Sequence, residues 1–244
     1  MIRVNRTTKP QVLQRLGPKW LADLQASINE LDRLEKDPQA TKQTKRQAKN
    51  KVEKARQKYN HPEIKKALVG MFHGKCAYCE SQITAVTYGH IEHFHPKSNS
   101  QYVDKTFEWE NFLLSCDICN NPQHKGTKFP LAANNTPLLI DPTDGVTDPT
   151  THLRFSWDAQ AGLASIYGRD VRGQAVERIF DFNGVNGRKA LIKARSEYVK
   201  KLMILLRYAQ SGSVEALAIL KEACQPDAPY TVFALLYIAP HITS

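Results

Sequence analysis

Residues 89–97 read GHIEHFHPK, so three histidines and a glutamate fall between His90 and His95 in a chain with only eight histidines. Such a run is a metal site, a catalytic cluster or a polar strand rich in imidazole, and its flanks decide which. Residues 73–81 read HGKCAYCES and residues 109–126 read WENFLLSCDICNNPQHKG. They hold two Cys-x-x-Cys pairs, Cys76/Cys79 and Cys116/Cys119, with 36 residues between them. Each pair forms a short knuckle whose sulfurs take adjacent corners of a tetrahedron, so two knuckles close a four-thiolate zinc site with Zn–S distances of about 2.3 Å. A closed site keeps no open position. The expected single Zn²⁺ is therefore structural, stapling a loop-rich module that apolar burial alone does not hold. Cys224 stands apart and reads as a small core residue.

At 244 residues the chain can form one large domain or two small ones, and 41% apolar with 24% charged residues is ordinary for a folded protein. The net charge of +10 is uneven: ten Lys/Arg and two Glu between Thr41 and Lys66 place +8 of it in 26 residues. A stripe of this kind suits a polyanion, nucleic acid above all, although a solvated helix face has the same composition. Lys45, Arg46 and Lys49 are its central cations. No run approaches the ~18–20 apolar residues of a membrane span, and no apolar segment follows the basic start. The expectation is a cytoplasmic protein without membrane contact, where paired cysteines hold metal rather than a disulfide.

The flanks of the cysteine module read as helical. Pro18 can open a helix carrying Trp20, Leu21, Leu24, Ile28, Leu31 and Leu34; Asp37-Pro38 can start a second that runs to about Tyr59, with a thin apolar stripe of Ala48, Val52, Ala55 and Tyr59. An antiparallel hairpin with a basic second arm follows. Pro62 starts a short third helix. Past the module, Leu153, Phe155 and Trp157 alternate, DAQAG supplies a turn and LASIYG a return strand. Leu191, Ala194, Tyr198, Leu202 and Leu205/Leu206 then form one face of a long helix, Ser213 caps another, and residues 229–239 are apolar enough for core or partner surface. The reading is α+β, mainly helical: a basic helical hairpin (1–61), a zinc-stapled core (62–157), and a C-terminal hairpin and helical region (158–244) suited to binding a partner.

Between the knuckles, Glu92-His93 is followed 18 positions after His93 by Asn111, then, after eight further residues, by Asn120, with His124 four beyond. This pattern resembles the HNH nuclease motif, a ββα-metal unit in which a hairpin and one helix grip a single divalent metal. The resemblance implies Glu92, Asn120 and His124 as ligands of Mg²⁺ or Mn²⁺, with His93 and Asn111 completing the catalytic set. The chemistry agrees with those residue types: a neutral imidazole takes the proton of an attacking water, and a divalent cation stabilises charge on the phosphate and leaving oxygen. Asn111 would fix the His93 ring or the nearby backbone, and Lys97 and Lys125 are placed to meet phosphates. Two features leave the ligand set open among Asn120, Asn121 and His124. CNNPQHKG carries two residues more than the commoner pattern, and Pro122 fits only a first helical turn. Strict alternation would also send Glu92 and His93 to opposite faces, so the strand must end or twist there.

Taken together, HGKCAYCES, HIEHFHPKS, NFLLSCDICNN, KGTKFPL, LIDP and HLRF are similar to the HNH subunit of Septu-type anti-phage systems, a subunit type that also accompanies certain retrons. The resemblance covers roughly residues 70–156. It implies a defence effector endonuclease working with an ABC/SMC-like ATPase and, in the retron setting, with a reverse transcriptase and its RNA–DNA product. DNA is the first substrate class it suggests, with tRNA or other RNA second. The competing reading is a catalytically inert zinc module that binds nucleic acid or bridges partners.

Overall fold

The computed structural model describes residues 1–84 and 87–242. Its first helix, α1 (Gln11–Lys36), begins directly after Pro10, with Pro18 inside it. The start lies earlier than Pro18 because Val12 and Leu13, both buried, extend the apolar stripe of Trp20 and Leu24 by two turns. The connection holds Asp37, whose carboxylate accepts from the Gln39 amide, so α2 (Lys42–Arg56) is started by Thr41 instead. The Thr41 hydroxyl accepts the Thr44 amide at 3.1 Å. Lys49–Glu35, Lys51–Glu30 and Lys58–Asp23 pairs lace α1 to α2 in antiparallel register, and a 3-10 turn (Gln57–Tyr59) ends the arm. Ala48, Val52 and Ala55 are the buried positions of α2, as the thin stripe requires.

Helix α3 (Pro62–Met71) packs Ile64 and Leu68 into the core beside a two-stranded antiparallel sheet, β1 (His90–His93) with β2 (Phe112–Ser115). The single-turn helix α4 (Asp117–Asn120) follows β2. A second turn, α5 (Pro149–His152), leads into the hairpin β3 (Leu153–Asp158) and β4 (Leu163–Gly168), which pairs Leu153 with Gly168 and Trp157 with Ala164 as the alternation predicts. Four α-helices follow, α6 (Val171–Phe180), α7 (Lys189–Gln210), α8 (Val214–Ala223, capped by Ser213) and α9 (Thr231–Tyr237), and a 3-10 turn (Ala239–His241) comes after them.

The architecture is α+β and mainly helical. One apolar core runs from Leu13, Leu24 and Val52 through Phe112, Leu113 and Leu114 to Phe155, Phe180 and Phe233. A smaller cluster joins α7, α8 and α9 through Leu202, Leu206, Leu220 and Ala234. The buried face of α7 keeps the expected Leu191, Leu202 and Leu206 and takes Arg195, Ser196 and Val199 in place of Ala194 and Tyr198. It includes an arginine because the Arg195 guanidinium donates to the Ala164 carbonyl (2.7 Å) and the Phe182 carbonyl (2.9 Å). In the tail, Val232, Phe233 and Ala234 are core whereas Leu235 and Leu236 face outward. No described helix is long and apolar enough to cross a membrane.

Candidate functional site

Two knuckles bring the four cysteines together. In the first, the Glu80 amide returns to the Cys76 carbonyl, which requires Glu80 at φ +59°, and the Ala77 amide ties the turn to Leu114 of β2. In the second, Cys116 caps α4 and its sulfur accepts from the Cys119 amide. The four sulfurs lie within 4.8 Å of one another, with Cys79 and Cys116 at 3.9 Å. Tetrahedral bonds of about 2.3 Å place sulfurs about 3.8 Å apart, so the donor set and its spacing are compatible with one structural zinc. Burial drives the Cys76 and Cys119 thiols well above their ordinary values, while hydrogen bonds from the neighbouring thiols hold Cys79 well below.

Sequence reading missed the outer support of this cluster. Arg188, at the start of α7, donates from Nη1 to the Phe180 carbonyl (2.7 Å) and directs Nη2 to the Cys116 sulfur at 3.8 Å. Burial alone would lower its pKa. The sulfurs of Cys119, Cys79 and Cys116 outweigh that effect and hold the guanidinium above its ordinary range. An arginine here would offset the net −2 that four thiolates leave on a divalent ion, and nothing local in the sequence marks it. Tyr78, between the first two cysteines, stacks on Phe180 at 4.2 Å and locks the knuckle to α6.

The sheet presents Glu92 and His93 to one small cavity of about 210 Å³, lined also by Pro96, Lys97, Ser98, Asn120, Gly126 and Thr127. The parity conflict resolves because β1 ends at His93. Both side chains are buried. The His93 Nε2 lies 3.0 Å from the Thr106 carbonyl, which can only accept, so Nε2 carries the proton and Nδ1 keeps its lone pair. The ring is walled by Phe112 (5.0 Å between centroids) and Tyr59 (4.5 Å), each nearly perpendicular to it. Burial, and after it the charge of Lys97, pulls the His93 pKa down to about 3, so the imidazole is neutral.

Asn111 acts on the backbone and on the His95 ring, whose Nδ1 lies 3.2 Å from its Oδ1, rather than on the His93 ring. Its Oδ1 accepts the His95 amide (2.7 Å), and its Nδ2 donates to the carbonyls of His95 (3.1 Å) and Lys105 (2.9 Å). It thereby holds the segment whose next carbonyl, Thr106, fixes His93. His95 packs among Phe94, Tyr102 and Phe129, and His90 pairs at the surface with Asp117.

Beyond Asn120 the chain departs from a helix. Asn121 is extended at ψ 164°, as a residue before proline prefers, and Pro122 ends the turn. His124 is consequently carried away from Glu92 and His93. Its Nδ1 donates to the Ile179 carbonyl (3.1 Å), and it lines a different cleft with Asn121, Asp181 and Arg188. Gly126, at φ +46°, lies so close to Pro122 that a β-carbon would meet the proline Cα at 2.8 Å. This tight return buries Lys125 completely: its Nζ sits 2.5 Å from Glu92 Oε1 and donates to the His93 carbonyl at 2.7 Å. The cation expected at a phosphate is inside, against the carboxylate. Burial raises the Glu92 pKa, and Lys125 opposes it.

Lys97 remains at the cavity, its ammonium 5.0 Å from the centre of the Tyr59 ring. A groove of mixed charge, lined by Lys49, Arg56, Asp32, Glu53, Ser98 and Ser100, runs from the basic arm to the same Ser98 that borders the cavity. On the arm, Lys49 pairs with Glu35, Lys45 donates to the Glu35 carbonyl, and Arg46 is exposed.

Two curated relatives match the chain. It is 26% identical to the Septu protein PtuB of Bacillus mycoides (strain KBAB4), covering 64% of this chain and 62% of that protein. It is 30% identical to the Septu protein PtuB of Bacillus thuringiensis, covering 51% of this chain and 43% of that protein. The chain is thus a PtuB-like relative that spans about half the length of the proteins it matches. No protein-family model and no solved structure matches it.

Proposed function

We propose that this chain is a metal-dependent endonuclease of the HNH type, hydrolysing phosphodiester bonds of DNA as the effector of a Septu-like anti-phage system. The observation that carries the reading is the convergence of Glu92, His93 and Asn120 on one cavity, with His93 held as the tautomer whose free Nδ1 can accept a proton. A neutral, immobilised imidazole has the free lone pair that abstraction of a proton from water needs. The neighbouring Glu92 carboxylate and an incoming phosphate would have to raise the low basicity that burial gives it. Asn111, through the 94–106 segment, keeps the base in place.

The residues also fit a cation. Glu92 offers a buried carboxylate, whose Oε1 lies 2.5 Å from the Lys125 ammonium that a divalent ion would share or displace, and Asn120 lines the same cavity. Glu92 and Asn120 would hold Mg²⁺ or Mn²⁺, an oxygen set that suits a hard ion. When bound, that ion supplies charge stabilisation at the scissile phosphate and the leaving 3′ oxygen. His124 stands outside this set. Lys97 borders the cavity and contacts an incoming phosphate, while the exposed Arg46 on the arm extends the electrostatic track for a duplex. The four-cysteine cluster holds structural zinc and fixes β2 and α4, the elements that deliver Asn120.

The relatives' names support a Septu defence setting. An ABC/SMC-like ATPase as partner, and a reverse transcriptase with its RNA–DNA product in a retron context, complete the proposal. Their docking site would be the C-terminal region, where Ile204, Tyr208, Val214, Ile219, Leu235 and Leu236 are exposed.

The test is cleavage of plasmid DNA with Mn²⁺ by the parent chain and His93→Ala. Loss of a general base lowers the rate about 10²–10⁴-fold, with zinc content and thermal unfolding retained. Undiminished cleavage by His93→Ala overturns the mechanism.

A further inference from the structure

The basic arm meets the candidate base at one residue. Tyr59 closes the 3-10 turn after α2, more than 30 positions before His93, yet the two ring centroids lie 4.5 Å apart at an interplanar angle of 90°. On the other side Phe112 meets the same imidazole at 5.0 Å and 88°. A single hydrogen bond, Nε2 to the Thr106 carbonyl, locates one atom of the ring but leaves its plane free to swing about that atom. Two perpendicular aromatic walls remove this freedom. Tyr59 differs from Phe112 in a further respect: its ring also carries the Lys97 ammonium, 5.0 Å from the centroid. An aromatic face draws a cation to a fixed place, and Lys97 lines the cavity that holds Glu92, His93 and Asn120.

We infer that Tyr59 is a positioning residue of the active site: its ring sets the plane of the His93 imidazole and parks Lys97 where a phosphate enters, so the arm forms one wall of the site. The inference rests on the nuclease reading and adds a residue to it. It also gives the arm a second role. Its cations attract nucleic acid, and its last turn orders the group that acts on it.

The geometry uses the ring of Tyr59 and not its hydroxyl, which makes Tyr59→Phe the conservative control and Tyr59→Leu the disruptive variant. In ¹⁵N-labelled protein the Nε2–H of His93, bonded to Thr106, should give a slowly exchanging imidazole resonance in the parent chain and in Tyr59→Phe. It should broaden or exchange rapidly in Tyr59→Leu. On plasmid DNA with Mn²⁺, Tyr59→Leu should lower kcat by about 100-fold, the cost of a misplaced reacting group, with KM changed by less than about threefold. Tyr59→Phe should restore the parent rate. Lys97→Met should raise KM in the parent about threefold to tenfold at low salt and have a smaller effect beside Tyr59→Leu, where nothing holds the ammonium.

Zinc content and thermal unfolding establish that Tyr59→Leu is folded. An unchanged His93 resonance in that variant, or a parent-like rate from it, overturns the assignment, as does a Tyr59→Phe variant that fails like Tyr59→Leu. A parent chain that cleaves nothing refutes the nuclease reading instead, and the imidazole resonance still decides whether Tyr59 seats the ring.

Discussion

Replacing Lys125 with Met tests the least expected contact in the site. The side chains of Lys125 and Glu92 are 0% and 4% exposed, and the ammonium serves both Glu92 Oε1 at 2.5 Å and the His93 carbonyl at 2.7 Å. Methionine fills a similar volume but removes the charge, leaving a buried carboxylate without its cation. Breaking such a pair from one side costs about 3–5 kcal/mol, which for a chain of 244 residues is a fall in Tm of roughly 6–20 °C. The companion variant Glu92→Gln with Lys125→Met has no orphaned charge and should recover about 2 kcal/mol or more of that loss. The pH dependence has a fixed sign. Burial raises the Glu92 pKa and Lys125 counters it, so without Lys125 the folded carboxyl binds its proton more tightly than the unfolded one. Stability then falls as pH rises through the folded pKa, and the deficit of Lys125→Met is smaller at pH 5 than at pH 8. The assay is urea unfolding of zinc-loaded protein at both pH values without added Mg²⁺ or Mn²⁺. A loss under about 1 kcal/mol, or strict additivity in the double variant, refutes the buried pair.

Three further outcomes follow from the same geometry. His93 has a folded pKa of about 3 against an ordinary 6.5, so between those values the unfolded chain takes up a proton that the folded one refuses. Stability is lost as pH falls through this window, by about 2 kcal/mol at pH 5, and His93→Gln should show a correspondingly shallower acid limb in urea titrations. Arg188→Met removes the cation beside the Cys116 sulfur, and zinc affinity measured by chelator competition should drop about 10–100-fold. Unchanged competition would mean that the guanidinium serves only the Phe180 carbonyl. Cys116→Ser should abolish the single bound zinc and with it cooperative unfolding, since Cys116 is both a donor and the cap of α4; a zinc-free variant that unfolds cooperatively would remove the staple.

Much of this molecule was legible in the sequence where a local rule sufficed. Alternation at Leu153, Phe155 and Trp157 located a hairpin, Ser213 located a helix start, and two Cys-x-x-Cys spacings assembled a cluster across 36 residues. What escaped depended on a cation finding a distant partner. Arg195 and Arg188 carry no local mark, because a guanidinium is normally solvated, yet Arg195 meets the Ala164 carbonyl 31 positions away and Arg188 directs a nitrogen to the Cys116 sulfur 72 positions away. The extra residues around Pro122 show how the site itself could mislead. A helix continuing from Asn120 would have put His124 one turn on, over the same face as Asn120. Pro122 stops that turn, the left-handed Gly126 reverses the chain, and the residue delivered to Glu92 is Lys125. Identity of the residues was therefore insufficient, and their order around one proline and one glycine decided which cation the carboxylate meets. A divalent ion approaching Glu92 would have to share or displace an ammonium already in place, so metal affinity at the proposed site would depend on Lys125 as much as on Glu92 and Asn120.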